Sequence, residues 1–250
     1  MQTNSESNKP ASFLGGLLFL LVTLATLLYA GLHVKDWLKD EQQLPVQHIM
    51  VAGELSVLQK SEIVQAVRNS NRGSFFEIDV NAVHTALEGM PWVYRASVRK
   101  RWPNTLYLYI IEQSPRVIWN QDSILNQYGD VFYGGKVGLD MPLPKLYGPA
   151  GSEKTALAGY QAMQTLLNGV NLRIKNLFLS ERFAWRLELE NGVRINLGRQ
   201  EFIDRMQRFI DLLPLLNKQN KGINYVDLRY DTGLAVGWHE VSKSTSKEQD

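Results

Sequence analysis

The chain has 250 residues, 44% of them apolar, and a net charge of +2 with both signs interspersed. That length allows one large or two small folded units beside any membrane segment, and that apolar fraction rules out wholesale disorder. The balanced charge excludes a dedicated nucleic-acid binder, and the absence of cysteine excludes disulfide frameworks, thiol nucleophiles and Cys-ligated metal sites.

From Phe13 to Leu32 the sequence reads FLGGLLFLLVTLATLLYAGL, without a charge. A helix needs about 20 apolar residues to cross the hydrocarbon of a bilayer. Thr23 and Thr26 can return their hydroxyls to helix carbonyls, and Gly15, Gly16 and Gly31 are tolerated in such helices. The rival is a cleaved signal peptide, with Leu28-Tyr29-Ala30 as the cleavage site. The run exceeds the usual apolar core of roughly 7–15 residues, however, and Leu28 is large where cleavage requires a small side chain. The expectation is a retained anchor at 13–32 behind a tail at 1–12. Lys9 on one side and Lys35 and Lys39 on the other leave its orientation open on charge alone. Residues 33–45 read as a polar connector, with Trp37 suited to the membrane interface.

A first small unit is expected at 46–115. Val46–Val51 is a strand, ended by Ala52-Gly53. Ser61 opens a helix whose buried face is Ile63, Val64 and Val67. Asp79 caps a second helix with Val80, Val83 and Leu87 on one side, stopped by Gly89 and Pro91. Strands at Val93–Arg99 and Thr105–Ile111 join through Trp102-Pro103-Asn104, and Leu106, Leu108 and Ile110 share a face. The order is β-α-α-β-β.

A second unit is expected at 116–240. Ser123–Tyr133 reads as a hairpin around Tyr128-Gly129-Asp130, and the Pro/Gly-rich 139–151 as loop. A helix spans 152–168, with Ser152 as N-cap and Gly169 beyond its end. Strands follow at 172–180, 183–190 and 193–197, the last two joined by Asn191-Gly192. A helix from Gln200 to Lys218 shows Phe202, Met206, Phe209, Ile210 and Leu213 at helical spacing, and Pro214 should kink or end it. Residues 223–238 read as a last strand, and 241–250 as a solvated, disordered tail. The fold class is α+β: one transmembrane helix, a small β-α-α-β-β domain, then a mixed or antiparallel β domain with two helices.

Catalytic constellations are weak. Asp231-Thr232-Gly233 is the triplet of aspartic proteases, but that chemistry needs two carboxylates sharing a proton. The short remainder after Gly233 leaves no room for a flap, and Asp-Thr-Gly is an ordinary turn. His33, His48, His84 and His239 lack ligand spacing. Tyr133–Gly138 lacks the spacing of a phosphate-binding loop and reads as loop. Arg95, Arg99, Lys100 and Arg101 cluster, yet Arg95 and Arg99 face one way along a strand and Lys100 the other, so they form a rim rather than a groove. No cofactor, metal, small-molecule substrate or nucleic acid is expected. What stands out is the end, Tyr225-Val-Asp-Leu-Arg-Tyr-Asp-Thr-Gly-Leu-Ala-Val-Gly-Trp238, strand-grade sequence that can form a sheet edge. Tyr230 and Trp238 either fill the core or anchor an interface, and Arg229 can make a bidentate ion pair.

This stretch resembles the C-terminal signature of the FtsQ/DivIB family of bacterial cell-division proteins. Ser97-Val98-Arg99-Lys100-Arg101-Trp102-Pro103 resembles the hairpin of the family's POTRA domain. Leu146-Tyr147-Gly148-Pro149 and Ile195-Asn196-Leu197-Gly198-Arg199 also fall where the family has them. The resemblance implies a cytoplasmic N-terminus, one inner-membrane helix, a periplasmic POTRA domain and a C-terminal β domain. It further implies a non-enzymatic scaffold at the division septum that links early and late division proteins, through its POTRA domain and transmembrane segment among other contacts. Its last strand would accept a strand from FtsB, in complex with FtsL. Carried over by position, the FtsB site comprises Arg229, Tyr230, Thr232, Gly233, Leu234 and Trp238, with Arg182 as a second contact. Val98 and Lys100 match a POTRA surface associated with recruitment. The rivals are an envelope protease using Asp231, which needs a second acid, and a POTRA-bearing translocation factor, which needs tandem POTRA repeats and a barrel pattern.

Overall fold

The structure, a computed structural model, describes residues 9–39, 48–70, 74–219 and 221–239. The charge-free run forms one helix, α1 (Lys9–Lys39), about 46 Å long at 1.5 Å per residue. Within it, Leu14–Lys35 is long and apolar enough to cross a membrane, is unburied in the protein, and fits a single-pass anchor. The Thr23 hydroxyl donates to the Phe19 carbonyl at 2.6 Å and that of Thr26 to Val22 at 2.5 Å, so neither reaches lipid unsatisfied. Residues 33–39, expected in the connector, continue the helix because HVKDWLK contains no Gly or Pro to stop it. Residues 9–12 of the expected 1–12 tail also belong to α1; the rest of that tail, the rest of the connector, the Trp37 side chain and the expected tail 241–250 lie outside the described residues.

The first folded part has the expected order: β1 (His48–Ala52), α2 (Lys60–Ser70), α3 (Val80–Glu88), β2 (Val93–Arg101) and β3 (Thr105–Glu112). In its sheet β3 is central, parallel to β1 and antiparallel to β2. Ile63 and Val67 of α2 and Val83 and Leu87 of α3 are buried with Val98, Leu106, Leu108 and Ile110 of the sheet. The Asp79 carboxylate caps α3, accepting from the Asn81 and Ala82 N–H groups at 2.8 and 3.3 Å. At the end of β3, the Glu112 carboxylate accepts from the N–H groups of Ser56, Val57 and Leu58, fixing the loop that enters α2.

The chain divides into two compact units between Glu112 and Gln113. The strands of the second are β4 (Pro115–Trp119), β5 (Ser123–Asn126), β6 (Val131–Phe132), β7 (Lys145–Tyr147), β8 (Ile174–Leu179), β9 (Trp185–Leu189), β10 (Arg194–Gly198), β11 (Ile223–Asp227) and β12 (Ala235–Trp238). They form one nine-stranded sheet in the order β12-β11-β10-β9-β8-β7-β4-β5-β6. Helix α5 (Glu153–Asn168) carries the chain from β7 to its parallel neighbour β8, and α6 (Phe202–Asn217) from β10 to its parallel neighbour β11. Parallel neighbours require such crossovers, whereas the antiparallel β9–β10 pair needs only the Asn191-Gly192 turn. Met163 and Leu167 of α5 and Met206 and Phe209 of α6 share one core with Leu177, Leu187, Ile195 and Val226 of the sheet.

Several local expectations change. The Pro/Gly-rich stretch 139–151 contains β7, held on both sides by β4 and β8, with Leu146 fully buried. Gly135–Leu139, expected as loop, is a five-residue helix, α4. Ser152 precedes α5, but its hydroxyl donates back to the Pro149 carbonyl instead of capping. Gly169 ends α5 at φ −62°, so its freedom to adopt positive φ goes unused. Pro214 does not end α6, which continues to Asn217. Finally, 223–238 is not one strand: β11 and β12 form an antiparallel hairpin around the loop 228–234.

Candidate functional site

Among the described residues, strand β12 ends the nine-stranded sheet and pairs with β11 alone. Gly237 lies opposite Tyr225, whose ring occupies the position a Cβ at Gly237 would take. Only glycine admits the ring there. The His239 N–H donates inward to the Gly222 carbonyl at 2.8 Å. Backbone groups alternate sides along a strand, so the N–H groups of Gly237 and Ala235 point to β11 and those of Val236 and Trp238 point outward. An edge of this kind is a template for another strand.

Of the residues expected on one last strand, only Trp238 is on β12. Arg229, Tyr230, Thr232, Gly233 and Leu234 lie in the loop before it, because Asp231-Thr232-Gly233 turns the chain instead of extending it. The loop is braced from three directions. Asp227, 8% exposed, receives Arg229 Nε at 2.9 and 3.0 Å and Nη2 at 2.6 Å, and the Arg229 N–H at 3.1 Å. The Arg229 hydrogen bonds hold the Asp227 pKa below its ordinary value, against burial that pushes it up, and the same pairing raises that of Arg229. Gly198, at φ 76°, lies beneath: a Cβ there would stand 3.2 Å from Arg229 Cγ and 3.0 Å from Arg205 Nη1. From α6, Arg205 donates to the Leu197 carbonyl at 2.7 Å and approaches the Asp231 carboxylate at 3.9 Å. Arg208 donates to the carbonyls of Tyr230 at 2.8 Å and Gly233 at 3.2 Å. Leu234 packs on the core, while Thr232 is exposed and Tyr230 is 59% exposed.

Asp227, Arg205 and Arg208 were not singled out by sequence. A signal existed for Arg205, which falls three residues after Phe202 and four before Phe209, inside the apolar stripe of its helix. An arginine buried there must find acceptors.

Beside the loop lies a cleft of about 740 Å³ with Arg229, Gly198 and Asn196 on one side and Ser180, Glu181 and Ala184 on another. Arg182 is exposed in that second turn, which is closed by Phe183 N–H donating to the Ser180 carbonyl at 2.8 Å. Residues far apart in sequence therefore border one cleft. Its floor includes Tyr147 stacked on Phe178 at 4.8 Å, with the Arg186 guanidinium over Phe178 at 5.0 Å.

Val98 and Lys100 belong to the first unit. Val98 is 9% exposed and packs in the core, so its side chain is not on a surface as expected. The Lys100 ammonium donates to the Phe76 carbonyl at 2.9 Å and lies 5.7 Å from the Phe75 ring centre. Desolvation lowers its pKa, opposed by the charge of Asp79. Asp231 has a side chain 95% exposed, with Arg205 as its ionic neighbour. Among the described residues no group of three or more His, Cys, Asp or Glu could hold a metal.

The family model described as POTRA domain, FtsQ-type, matches residues 44–113, and that described as cell division protein FtsQ/DivIB, C-terminal, matches residues 117–229. The chain belongs to the FtsQ/DivIB family of cell-division proteins. Within the family, cell division protein FtsQ of Shewanella oneidensis is 40% identical over 226 residues, 90% of this chain and 86% of that one. FtsQ of Escherichia coli is 36% identical over 243 residues, 94% and 88% of the two chains. FtsQ of Aliivibrio fischeri is 35% identical over 249 residues, 99% and 97%. The FtsQ/DivIB C-terminal match ends at residue 229, ahead of β12, whereas the Aliivibrio relative aligns over nearly the whole chain.

Proposed function

We propose that the chain is a non-enzymatic scaffold of the division machinery. In this reading α1 anchors it in the inner membrane with the N-terminus cytoplasmic and both folded units periplasmic, at the septum, where it links early and late division proteins. FtsB, in complex with FtsL, adds a strand to the outer edge of β12. The observation that carries this reading is the edge of β12, unpaired among the described residues, beside a loop whose exposed Tyr230 is held in place by α6. Main-chain hydrogen bonds to Val236 and Trp238 supply affinity, and neighbouring side chains supply specificity. Tyr230 and Trp238 are the anchors. Arg229 and Arg182 present cations around the adjacent cleft to an acidic partner segment. Thr232 and Gly233 shape the turn, and Leu234 ties it to the core. Other division proteins meet the POTRA domain and α1; Val98 and Lys100 act on recruitment by setting the shape of β2 from within.

The test is the affinity of the full chain in detergent for the FtsB–FtsL complex. Truncating a buried interface aromatic typically costs ~2 kcal/mol, about thirtyfold in affinity. Tyr230→Ala and Trp238→Ala should each lose about that much, with Arg229→Glu close behind, while their melting temperatures stay near wild type. Normal binding by all three, or loss only in step with lost fold, would place the partner elsewhere.

A further inference from the structure

We propose that the β2–β3 hairpin tip of the POTRA domain docks on the anionic phospholipid surface of the membrane that α1 crosses, with Trp102 at headgroup level and Arg99 and Arg101 on lipid phosphates. The proposal rests on α1 being a retained anchor. Tether and tip share one end of the sheet. The chain leaves α1 at Lys39 and re-enters described structure at His48, which pairs with Thr105 and donates its N–H to the Asn104 carbonyl, inside the turn that carries Trp102. Residues 40–47 span at most about 30 Å when fully extended. His48, next to the tip, therefore stays within that reach of Lys39, the last residue of α1.

The chemistry of the tip matches such a surface. Trp102 is 71% exposed although it meets Phe76 and Phe75 edge-on at 5.2 and 6.4 Å, so the indole is mounted outward on two rings. Tryptophan is the side chain that sits at the boundary of headgroups and hydrocarbon. Arg99 and Arg101 occupy exposed positions of β2 and enter no ion pair among the described residues. The nearby Asp79 carboxylate is occupied at the α3 N-terminus. On the sheet face away from α2 and α3, register places Arg99 beside Tyr107 and Tyr107 beside Met50, and among the described residues no carboxylate shares the strip. Met50 and Tyr109 of that face are about half exposed, at 49% and 48%. A short tether converts even weak headgroup affinity into a populated docked state, because binding is intramolecular. A protein covering the same tip is the alternative that the experiment must separate.

Because the chain contains no cysteine, single cysteines report position site by site. The full chain, carrying an environment-sensitive fluorophore at His48→Cys, Glu62→Cys or Leu21→Cys, is placed in nanodiscs of phosphatidylcholine or of equal parts phosphatidylcholine and phosphatidylglycerol, with nitroxide-headgroup lipid as quencher. A label at 48 should be quenched strongly in the anionic discs, and one at 62, on α2, should not. Each of Arg99→Ser and Arg101→Ser should lower the docked-to-free ratio about fivefold at low salt, the effect of one basic residue at an anionic surface. Trp102→Ser should lower it as well, and high salt should abolish the lipid dependence. These positions are exposed, so unchanged melting temperatures would confirm intact folds. The label at 21 should be buried from water in both lipids; failure there would overturn the anchor rather than the docking. With position 21 inserted, quenching at 48 no greater than at 62, or indifferent to the arginines, would overturn the proposal. So would a tip that stays free on anionic discs and is shielded only when FtsB–FtsL is added.

Discussion

Arg229 does two things at once. Its guanidinium neutralises Asp227, whose side chain is 11% exposed, while its own side chain remains 64% exposed in the loop before β12. Folding lowers the Asp227 pKa below its ordinary 3.8, so the stability it contributes is complete above about pH 4 and is lost as pH falls through the lower folded value. Arg229→Ala removes the largest lowering cause and leaves burial, which pushes the carboxyl up. At neutral pH the variant should lose about 1 kcal/mol, the low end of the cost of an unsatisfied buried group, because solvent already screens the exposed arginine. The rise of wild-type stability with pH across the acid range should flatten or reverse in the variant. Denaturant melts at several pH values would read this, and the carboxyl carbon shift of Asp227 would give its titration directly.

At the scale of elements, β12 and α6 invite substitutions whose outcome follows from which backbone group is lost. Val236→Pro removes an N–H that points outward, so the domain should melt normally while strand addition is lost. Gly237→Pro removes an N–H that serves β11 and adds atoms where the Tyr225 ring lies, so it should destabilise the hairpin itself. Comparing the melting temperatures and FtsB affinities of the two variants would separate edge from fold. In α6, Pro214 is exposed and lies within a helix that runs on to Asn217. Its ring denies one backbone hydrogen bond without filling the core. Pro214→Ala should therefore stabilise the second unit by about 1–3 kcal/mol, seen as a higher urea midpoint.

For the whole molecule, each unit has its own core: Leu108 lies with Ile63, Val83 and Leu87, and Leu187 with Met163, Ile195 and Phe209. Thermal unfolding of the full chain in detergent should show two transitions. Leu108→Ala should shift one and Leu187→Ala the other, each by roughly 2–5 kcal/mol for a buried leucine truncation. A single transition moved equally by both variants would show one cooperative body.

The sequence by itself determined whatever is carried by local period and local capping. A membrane-length helix needs only an uninterrupted apolar run, which residues 13–32 supply. The β-α-α-β-β order was legible because Val80, Val83 and Leu87, then Leu106, Leu108 and Ile110, each display their own period, and Asp79 caps within three residues of itself. The chain end was legible as strand-grade sequence with a turn triplet and aromatics that can stand exposed, but its shape was not. The Asp231-Thr232-Gly233 turn breaks the strand locally. Only the tertiary structure decided how the loop is held, with the Leu228 N–H still donating to the Asn196 carbonyl and Arg208 of α6 holding the carbonyls of Tyr230 and Gly233. It also decided that Lys145–Tyr147 is a strand, because three residues without a period are extended by the β4 and β8 they pair with. Glu112 holds the loop at Ser56–Leu58 through hydrogen bonds that no window of neighbouring residues contains. The outermost place of β12 follows from crossovers by α5 and α6 that set the strand order, a choice made by packing helices on a shared core rather than by any one segment.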